Sequence, residues 1–415
     1  KKKINNYIFI NIVKGYKILK KKNNLELFSL LCDELTKTKL SLTQGNIFFF
    51  GKQNILLEVS IRQKLLREVG FFRLNKLILF STSLGISICY PLTNEWIEVI
   101  ERHNLKVNKI ISKFLWKLLL IYKVFLSIKL LFTILIYNFF SKYKYNDYFY
   151  FFNLTNKNLP TKNIHYKNYG IFDTVKKNED EKIINCNHDI KHYDYFDKNI
   201  KINYQRFFFK PNKNIIVNLK ILFWYLPCIT ISLFGILFSW KYPYFLYDCL
   251  LAKIVREYSQ DYLPKKVFCN QSSYIYRPFW SYYSDKKNIQ TIFYFYSTNI
   301  IEICSIKQKV PDILGWPNIT WNNYYFWDKV QKDYVEQFVK NFKYKIVGPI
   351  NFYPTPELKP IKMPKNSIII FDVRPARIRL YSFLGKPYEF YRAKYMIKFV
   401  NDIYQIIDKL NLNLV

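Results

Sequence analysis

The sequence predicts an α/β protein with two sheet-centred domains, the second of which is incomplete. Two short apolar runs, Thr291–Tyr296 and Tyr344–Val347, have the β-branched and aromatic composition of buried parallel strands. Between them, Val330–Phe342 repeats apolar residues at helical spacing, so the three segments form a strand–helix–strand unit. A further apolar run at Ser367–Val373 and a helical pattern at Tyr391–Leu410 begin the second domain.

The N-terminal part of the chain shows a similar alternation of patterns. We predict strands at Asn46–Phe50 and Lys76–Phe80, with a helix across Gln53–Val69 between them. A second helix is predicted from Asn94 to Glu101, with Asn94 as its N-cap and an acidic residue in its first turn. This order of elements is typical of an α/β domain.

Domain boundaries follow from these elements. We expect an N-terminal Rossmann-like domain over residues 1–350, a proline-rich linker over 351–366 and the start of a second such domain over 367–415. Asn411–Val415 is predicted to be a further strand. Because the chain has no initiator Met and stops at that strand, we expect it to be a fragment.

Two strongly apolar segments, Phe114–Phe140 and Ile221–Trp240, form a predicted helical insertion over about residues 110–262. The first carries three lysines, which makes a membrane-crossing helix costly, whereas the second has no charged residue. Three interpretations stay open: the helices span a bilayer, lie on its surface, or pack within a soluble protein. The polar stretch Ser141–Pro211 between them is predicted to be a loop-rich insertion.

Charge and cysteine content restrict the partners and the compartment. The net charge of +34 suits an anionic partner, but the lysines are spread along the whole chain, and an AT-rich genome alone enriches lysine. Nucleic acid is therefore disfavoured as a partner, whereas the inner leaflet of a membrane is favoured. Seven cysteines without a CxxC pair indicate a reducing compartment, and no signal peptide is evident. We expect a cytoplasmic location, peripheral or integral at the cytoplasmic membrane.

The usual phosphate-binding and hydrolase signatures are absent, so candidate chemistry depends on smaller groups of residues. His188 and Asp189 are the candidate catalytic residues, acting as a general base. His188 and His192 have a spacing that suits a metal on a helix, but no third ligand is evident and we predict no metal site. A surface or hydrogen-bonding role is the alternative for this segment.

Polar side chains follow two of the predicted strands, Val267–Cys269 and Thr291–Tyr296, at the edge where parallel sheets bind ligands. The candidate substrate-binding residues at this edge are Asn270, Arg277, Ser297 and Asn299. The neighbouring Tyr276 and Trp280 would stack on a sugar or, alternatively, belong to a helix core.

A third group, Asp372, Arg374 and Arg377, directly follows or ends the predicted strand Ser367–Val373. Arginines at such a place suit a phosphate or diphosphate, because the guanidinium holds two oxygens at once. A solvated basic loop is the alternative. These three residues complete the predicted substrate-binding set.

Several segments resemble the bacterial polysaccharide biosynthesis PFTS-motif proteins. The resemblance covers most of Asn46–Leu410. It rests on the segments YIYRPFWSYYSDKKNIQTIFYFYSTN, YYFWDKVQKDYVEQFVKNFKYKIVGPINF, SIIIFDVRPARIRLYSFLGKPYEFY, YFYFFNLTNKNLP and NHDIKH. The Pro-Phe-Thr-Ser sequence that names the family is absent from this chain, and we expect it further along the second domain.

The resemblance implies a GT-B-like glycosyltransferase of capsular or surface polysaccharide biosynthesis. It would transfer a sugar, or a sugar- or polyol-phosphate, from a nucleotide-activated donor to a glycan or lipid-linked acceptor, without a further cofactor. An alternative of another class is a non-enzymatic membrane or ribosomal accessory protein encoded by an AT-rich, organelle-like genome. The repeated strand–helix pattern separates the two, since an accessory protein has no need of it.

Overall fold

The structure is a computed structural model. It describes residues 2–21, 31, 34, 47–50, 60–61, 63, 71–142, 148–152, 182–186, 200–270, 277–295, 319–348, 367–368, 393–410 and 413–414. Within these residues the α-helices are α1 (Lys2–Lys21), α2 (Ile47–Phe50), α3 (Phe71–Leu84), α4 (Asn94–Arg102), α5 (Lys109–Phe140), α6 (Ile215–Phe238), α7 (Lys241–Glu257), α8 (Ser281–Ser284), α9 (Lys329–Glu336) and α10 (Ala393–Leu410). The strands are β1 (Phe149–Phe151), β2 (Lys182–Cys186), β3 (Ile200–Tyr204), β4 (Lys266–Asn270), β5 (Gln290–Tyr294), β6 (Asn323–Phe326), β7 (Lys343–Ile346), β8 (Ser367–Ile368) and β9 (Asn413–Leu414).

The chain forms two compact units. The first consists of Lys1–Thr38, Leu65–Trp116 and Glu357–Val415, and the second of Lys39–Lys64 and Lys117–Pro356. The predicted linker over 351–366 lies outside the described residues, so the predicted domain boundaries stay a prediction.

The second unit is built on a seven-stranded sheet in the order β3-β2-β1-β4-β5-β6-β7. Every pair of neighbouring strands in this sheet is parallel. The first six strands follow the order of a doubly wound α/β sheet, in which the chain winds outward from β1 and then returns to its other side. The predicted α/β class is therefore confirmed, and so are the strands predicted at Val267–Cys269 and Thr291–Tyr296.

Aromatic side chains fill the interior around the central strands. Phe151 of β1 and Phe268 of β4 stack in parallel, with ring centroids 4.2 Å apart. Tyr324 and Phe326 stack in the same way along β6, at 5.5 Å. Large flat rings on adjacent strands bury much apolar surface at a low entropic cost, so this aromatic-rich sequence is suited to a buried parallel sheet.

Four of the seven strands of the sheet lie in segments where we predicted no strand. Ser141–Pro211, predicted to be a loop-rich insertion, contains β1, β2 and β3, so that prediction was wrong. The segment between the predicted strand Thr291–Tyr296 and the predicted helix Val330–Phe342 contains β6. The edge strand β3 alternates apolar and polar residues (IKINY), and β2 reads KIINC, so the many Lys and Asn residues obscured both strands.

The other edge of the sheet also differs from its prediction. Tyr344–Val347 was predicted to be a buried strand, and β7 is present there, but its four residues are exposed. Lysines at two of the four positions are typical of an exposed edge strand, where they discourage pairing with other chains. The helix before it, α9, begins at Lys329 and ends at Glu336, six residues before the predicted end; Tyr334 is buried and Val330 is exposed.

In the first unit, α1 and α3 pack against each other at a glycine. A Cβ atom on Gly15 of α1 would lie 1.8 Å from the carbonyl oxygen of Leu79 in α3, so only glycine fits at this crossing. Ser83 of α3 donates a hydrogen bond to Oδ1 of Asn11 at 3.0 Å. These two contacts show that the helices run antiparallel.

The predicted strands at Lys76–Phe80 and Asn46–Phe50 are both wrong, because the structure has helices α3 and α2 at these positions. In α3 the residues Leu74, Ile78 and Ser81 are buried at helical spacing, a pattern that a short apolar run does not reveal. In α2 the Phe50 ring packs on three aromatic side chains, and such tertiary contacts override β-propensity.

The helix predicted from Asn94 is confirmed as α4, but its N-cap is Thr93, whose side chain accepts a hydrogen bond from the Trp96 amide. Among the described residues before 143, the only β-pairing is a parallel bridge between Ile88 and Val107. The predicted β-α-β-α alternation of the N-terminal region is therefore wrong for its described part.

At the C-terminal end, β8 and β9 pair in parallel, and α10 lies between them in the chain. The strand beginning at Ser367, the helix ending at Leu410 and the strand after it are confirmed. A strand, a helix and a parallel strand in this order form a βαβ unit, the element from which Rossmann-like sheets are built.

Candidate functional site

The strand order creates a crevice between β1 and β4. From β1 the chain proceeds outward to β2 and β3, and it then returns to β4 on the other side of β1. In open α/β sheets, ligands bind outside the carboxyl ends of the strands at such a switch point. In this sheet the switch point lies beyond Phe151 at the end of β1 and Asn270 at the end of β4.

Aromatic residues form the described part of this crevice. The backbone N–H of Phe152 continues the pairing of β1 by donating to the Phe268 carbonyl at 2.9 Å. The half-buried Phe152 ring packs against Phe208 and Trp280, with centroids 6.1 Å away in both cases. Trp280 is only 3% exposed and stacks on Phe208 at 4.2 Å. Of the two predicted roles for Trp280, the structure therefore favours the core role over stacking on a sugar.

The sheet places several predicted site residues after adjacent strands. Asn270 is the last residue of β4 and lies opposite Tyr294 of β5. His188 and Asp189 follow the end of β2 by two and three positions in the sequence. Ser297 and Asn299 follow the end of β5 by three and five positions. These last four residues lie outside the described part of the chain, and so does Tyr276.

Arg277, also predicted to bind substrate, is buried, and its guanidinium is surrounded by protein groups. Its Nε donates to Oγ of Ser281 at 3.0 Å, and its NH2 donates to the Ser281 carbonyl at 2.8 Å. The same NH2 lies 2.9 Å from Oδ2 of Asp285. The guanidinium also covers the Tyr282 ring, 4.6 Å from its centroid. A guanidinium with these partners fixes the turn between β4 and β5.

The position of this guanidinium along the sheet is also informative. NH2 of Arg277 lies 3.5 Å from Oγ1 of Thr291, the second residue of β5, and NH1 lies 3.5 Å from the carbonyl of Thr320, shortly before β6. Both neighbours lie near the amino ends of their strands, whereas the crevice is at the carboxyl ends. The predicted role of Arg277 in substrate binding stays a prediction, although its described contacts are structural.

Burial favours the neutral forms of two side chains on and after β4, Cys269 and Tyr282. Burial raises the pKa of the Cys269 thiol well above its ordinary value, and the nearby charge of Arg277 opposes this shift only in part. Burial likewise raises the pKa of Tyr282, against a hydrogen bond with Thr320 and the charge of Arg277. Cys269 therefore remains a neutral thiol, which is a poor nucleophile.

No group of three His, Cys, Asp or Glu side chains that could hold a metal ion occurs among the residues for which the structure gives positions. His188 and His192, the pair with metal-ligand spacing, lie outside those residues. The candidate phosphate ligands Asp372, Arg374 and Arg377 also lie outside them, in the segment that follows β8.

Two further residues at the carboxyl edge, Gln205 and Trp327, were not predicted from the sequence. Gln205 follows β3 and accepts a hydrogen bond from the Tyr150 hydroxyl through its carbonyl, at 2.9 Å. Trp327 follows β6 and donates from its indole to the Phe295 carbonyl at 2.8 Å. The same rule that selected Asn270, a polar or aromatic residue after a strand, would have found both. Because β3 and β6 were not predicted, neither residue was recognised as following a strand.

A parallel sheet with this strand order places the protein in the doubly wound α/β class. The model of a family described as polysaccharide biosynthesis PFTS motif protein matches residues 231–415 of this chain. This finding confirms the resemblance predicted from the sequence over that part, and it indicates a role in polysaccharide biosynthesis. A search of curated proteins and a search of solved structures each found no match.

The matched region includes all seven predicted substrate-binding positions by residue number: Asn270, Arg277, Ser297, Asn299, Asp372, Arg374 and Arg377. The candidate catalytic residues His188 and Asp189 precede it.

Proposed function

We propose that this protein is a glycosyltransferase-like enzyme of surface or capsular polysaccharide biosynthesis. It transfers a sugar, or a sugar- or polyol-phosphate, from a nucleotide-activated donor to a glycan or lipid-linked acceptor. The observation that carries the proposal is the strand order, because β2, β1, β4 and β5 are neighbours around the switch point. Candidate residues follow three of these four strands at their carboxyl ends.

Covalent geometry limits how far these candidates lie from the crevice. A residue two or three positions beyond the end of β2 lies within about 7–11 Å of that end, since the chain extends by at most about 3.6 Å per residue. The four strands together span about 14 Å, at about 4.8 Å between neighbours. This distance allows His188 and Asp189 to contact a sugar or acceptor group bound beside Asn270, and we propose that they do so.

In the proposed sugar transfer, an acceptor hydroxyl attacks the anomeric carbon of the donor. The new carbon–oxygen bond forms as the bond between that carbon and the diphosphate breaks, and the nucleoside diphosphate leaves with the electron pair. His188, oriented by Asp189, accepts the hydroxyl proton. Arg374 and Arg377 stabilise the charge on the departing diphosphate. In phosphate transfer, the hydroxyl attacks the sugar-bound phosphorus and a nucleoside monophosphate leaves.

We propose a GT-B-like arrangement for this reaction, with the donor held mainly by the second Rossmann-like domain. The parallel β8–α10–β9 unit supports this proposal, because Asp372, Arg374 and Arg377 follow its first strand in the sequence. The acceptor would then lie on the seven-stranded sheet β1–β7, near the cytoplasmic surface of a membrane.

The phosphate ligands are tested by calorimetric titration of the purified protein with a panel of nucleotide sugars. Arg374→Ala together with Arg377→Ala should weaken binding of the accepted donor by about 10²–10⁴-fold, since charge-assisted hydrogen bonds contribute about 1.5–3 kcal/mol each. Lys398→Ala with Lys409→Ala, at exposed positions of α10, removes the same charge and is the matched control. Equal affinities of the two double variants would exclude the arginines as donor ligands.

The base is tested by the rate of transfer under saturating donor. His188→Ala should lower kcat by about 10²–10⁴ while donor affinity is retained, as expected for loss of a general base. His192→Ala, four residues away, is the control and should leave kcat unchanged. If no nucleotide sugar binds to the wild-type protein, the proposed function itself fails.

A further inference from the structure

Helix α6 has an inverted distribution of polar residues. The buried residues of α6 are Asn218, Ile221, Tyr225, Cys228, Ser232 and Gly235, and all of them except Ile221 are small or polar. Its outward side consists of large apolar residues, among them Phe223, Leu226 and Phe234, and Phe223 is 67% exposed. An amphipathic helix of a water-soluble protein shows the opposite arrangement. Small and polar residues inside with apolar residues outside are typical of helices that contact lipid.

Helix α5 extends this apolar surface. Leu120, Val124, Leu131 and Ile134 are buried along one side of the helix, together with Ser127. Its other sides expose further large apolar residues: Leu118, Ile121, Tyr122, Phe125, Phe132 and Ile136. Both helices are long and apolar enough to cross a membrane, and only about a third of each apolar window is buried, at 33% and 28%. The low burial argues against core helices of a soluble protein.

The two helices run antiparallel, so their outer faces form one surface. Near the end of α5, Asn138 is hydrogen-bonded to Asn218 near the start of α6. In the middle of α5, Nζ of Lys123 lies 5.1 Å from the ring centroid of Tyr244, which follows the end of α6. We name the outer faces of α5, from residue 117 onward, and of α6 the apolar face. Its length is about 36 Å, from 24 residues at about 1.5 Å each.

The opposite side of α6 packs on α7 along its whole length. A Cβ on Gly235 would lie 2.9 Å from Cδ of Pro243 at one end, and Nζ of Lys253 lies 5.5 Å from the Trp224 ring further along. Helix α7 is in turn anchored to the sheet unit, because Phe245 packs on Phe279 beside α8. A bilayer that surrounded α6 would therefore have to displace α7 or enclose it.

Enclosing α7 is costly because of its charges. The helix contains a buried Asp248, and Lys253 forms an ion pair with Glu257 at 2.7 Å. Charged side chains within hydrocarbon are strongly unfavourable, so α7 belongs outside the bilayer core. An apolar face on one side and a charged helix on the other indicate an orientation parallel to the membrane plane.

Lysines border the apolar face and identify the lipid chemistry. Lys213 and Lys220 lie just before and near the start of α6, and Lys117 and Lys142 lie towards the two ends of the α5 part of the face; all four are exposed. Lys129 is also exposed, but it lies among the outward apolar residues of α5. Lysines at such positions extend their charged ends to the headgroups, where anionic phospholipids attract them. They would repel the same face of a second copy, which disfavours a dimer as the occupant.

We infer that the apolar face docks onto an anionic phospholipid bilayer and lies in its plane without spanning it. Of the three interpretations of α5 and α6 (spanning a bilayer, lying on its surface or packing within a soluble protein), the second is therefore favoured. It does not rest on the proposed transfer reaction. The surface enters the boundary between headgroups and acyl chains to about 5–10 Å, the depth typical of in-plane amphipathic helices.

Flotation with vesicles tests the lipid chemistry. The wild-type protein should float with phosphatidylglycerol-containing vesicles at least about tenfold more than with pure phosphatidylcholine vesicles, and added salt should reduce the difference. Phe223→Glu with Phe234→Glu should abolish flotation. Ile397→Glu with Phe399→Glu, at exposed positions of α10, is the matched control and should float like the wild type. The wild-type comparison remains decisive if a variant fails to fold.

Two outcomes would overturn the inference. One is the absence of flotation together with a lipid-free dimer, seen by light scattering, that Phe223→Glu with Phe234→Glu dissociates. The other concerns orientation: Lys213→Cys and Ser239→Cys place a thiol at either end of α6, each in a background in which Cys32, Cys89, Cys186 and Cys304 are replaced by Ser. In sealed inner-membrane vesicles both should react with an impermeant maleimide from the same side. Reaction of the two ends from opposite sides would show that α6 spans the membrane.

Discussion

Asn138 of α5 donates a hydrogen bond from Nδ2 to Oδ1 of Asn218 of α6 at 2.7 Å, and both side chains are buried. The same Nδ2 donates to the Tyr258 hydroxyl at 2.8 Å, and Oδ1 of Asn138 accepts from the Asn212 amide at 3.1 Å. This one side chain therefore joins both ends of the α6–α7 hairpin to α5. Buried polar networks of this kind fix the register of packed helices.

Asn138→Ala should reduce the free energy of unfolding by about 2–4 kcal/mol, because it leaves Oδ1 of Asn218 and the Asn212 amide buried without their partner. Thermal and urea unfolding in detergent or with vesicles measure this change. Asn401→Ala, at an exposed position of α10, is the control and should have almost no effect. An unchanged unfolding midpoint for Asn138→Ala would mean that water replaces the lost bonds.

Gly15→Ala should destabilise the first unit, because the added methyl group would collide with the backbone of Leu79, which cannot move aside alone. Overpacking of this kind costs about 1–3 kcal/mol. Limited proteolysis with cleavage sites mapped by mass spectrometry should show faster cutting within α1 and α3.

Gly85→Ala is the comparison for this crossing. Gly85 has a φ of +68°, so alanine there is strained, but no atom lies within 4 Å of the new Cβ. Its effect should be about 1 kcal/mol and confined to the end of α3. If both variants are cut at the same rate, the close approach of α1 and α3 is not a determinant of stability.

Tyr283→Phe should change how stability depends on alkaline pH. Burial raises the pKa of Tyr283 to about 12, from about 10 in an unfolded chain. The neutral form is favoured in the folded state, so this contribution to stability is complete below pH 10 and is lost as the pH rises from 10 to 12. Removing the phenol should make the fall of the unfolding midpoint over this range less steep.

The same variant should be slightly less stable at neutral pH, because Tyr283 donates to the Phe50 carbonyl at 2.6 Å. Thermal unfolding at a series of pH values measures both effects. Tyr404→Phe, at an exposed position, should alter neither. A slope for Tyr283→Phe equal to that of the wild type would show that this phenol ionises in the folded state as freely as in the unfolded one.

Local sequence patterns predicted the strands that are short, apolar and bounded by turn residues. β4 and β5 belong to this group, since their composition alone distinguishes them, and the helical spacing of apolar residues predicted α10. Patterns failed where tertiary contacts decide the structure. Ile47–Phe50 is helical because its aromatic rings pack on α7 and α8, and β2 is a strand because β1 and β3 flank it.

The sequence predicted which residues lie at strand ends, but not which strands are neighbours in the sheet. Asn270 was placed correctly at the end of a strand, because strand ends follow from local composition. The order of the strands depends on pairing between distant segments, which periodicity does not encode. For the same reason local patterns did not predict that the Arg277 side chain points towards Thr291 rather than the carboxyl edge.

Arg277→Lys separates a structural role of this residue from donor binding. Lysine cannot reproduce the contacts of the guanidinium to Ser281 and Asp285, so a buried charge would lose most of its partners. We expect the unfolding free energy to fall by about 1.5–3 kcal/mol, because Arg277 is buried whereas the Asp285 side chain is 41% exposed and screened by solvent. Arg102→Lys, at an exposed pair 3.7 Å from Glu34, should cost less than about 1 kcal/mol.

A second outcome of Arg277→Lys would instead support substrate binding. If Arg277→Lys unfolds like the wild type but binds the nucleotide-sugar donor much more weakly, the guanidinium contacts substrate, as the sequence predicted. Because Asp285 is the acidic partner of Arg277, Asp285→Asn tests the same point from the other side. Asn retains an oxygen that can accept the hydrogen bond but removes the charge, so it should lower stability less than Arg277→Lys and leave donor affinity unchanged.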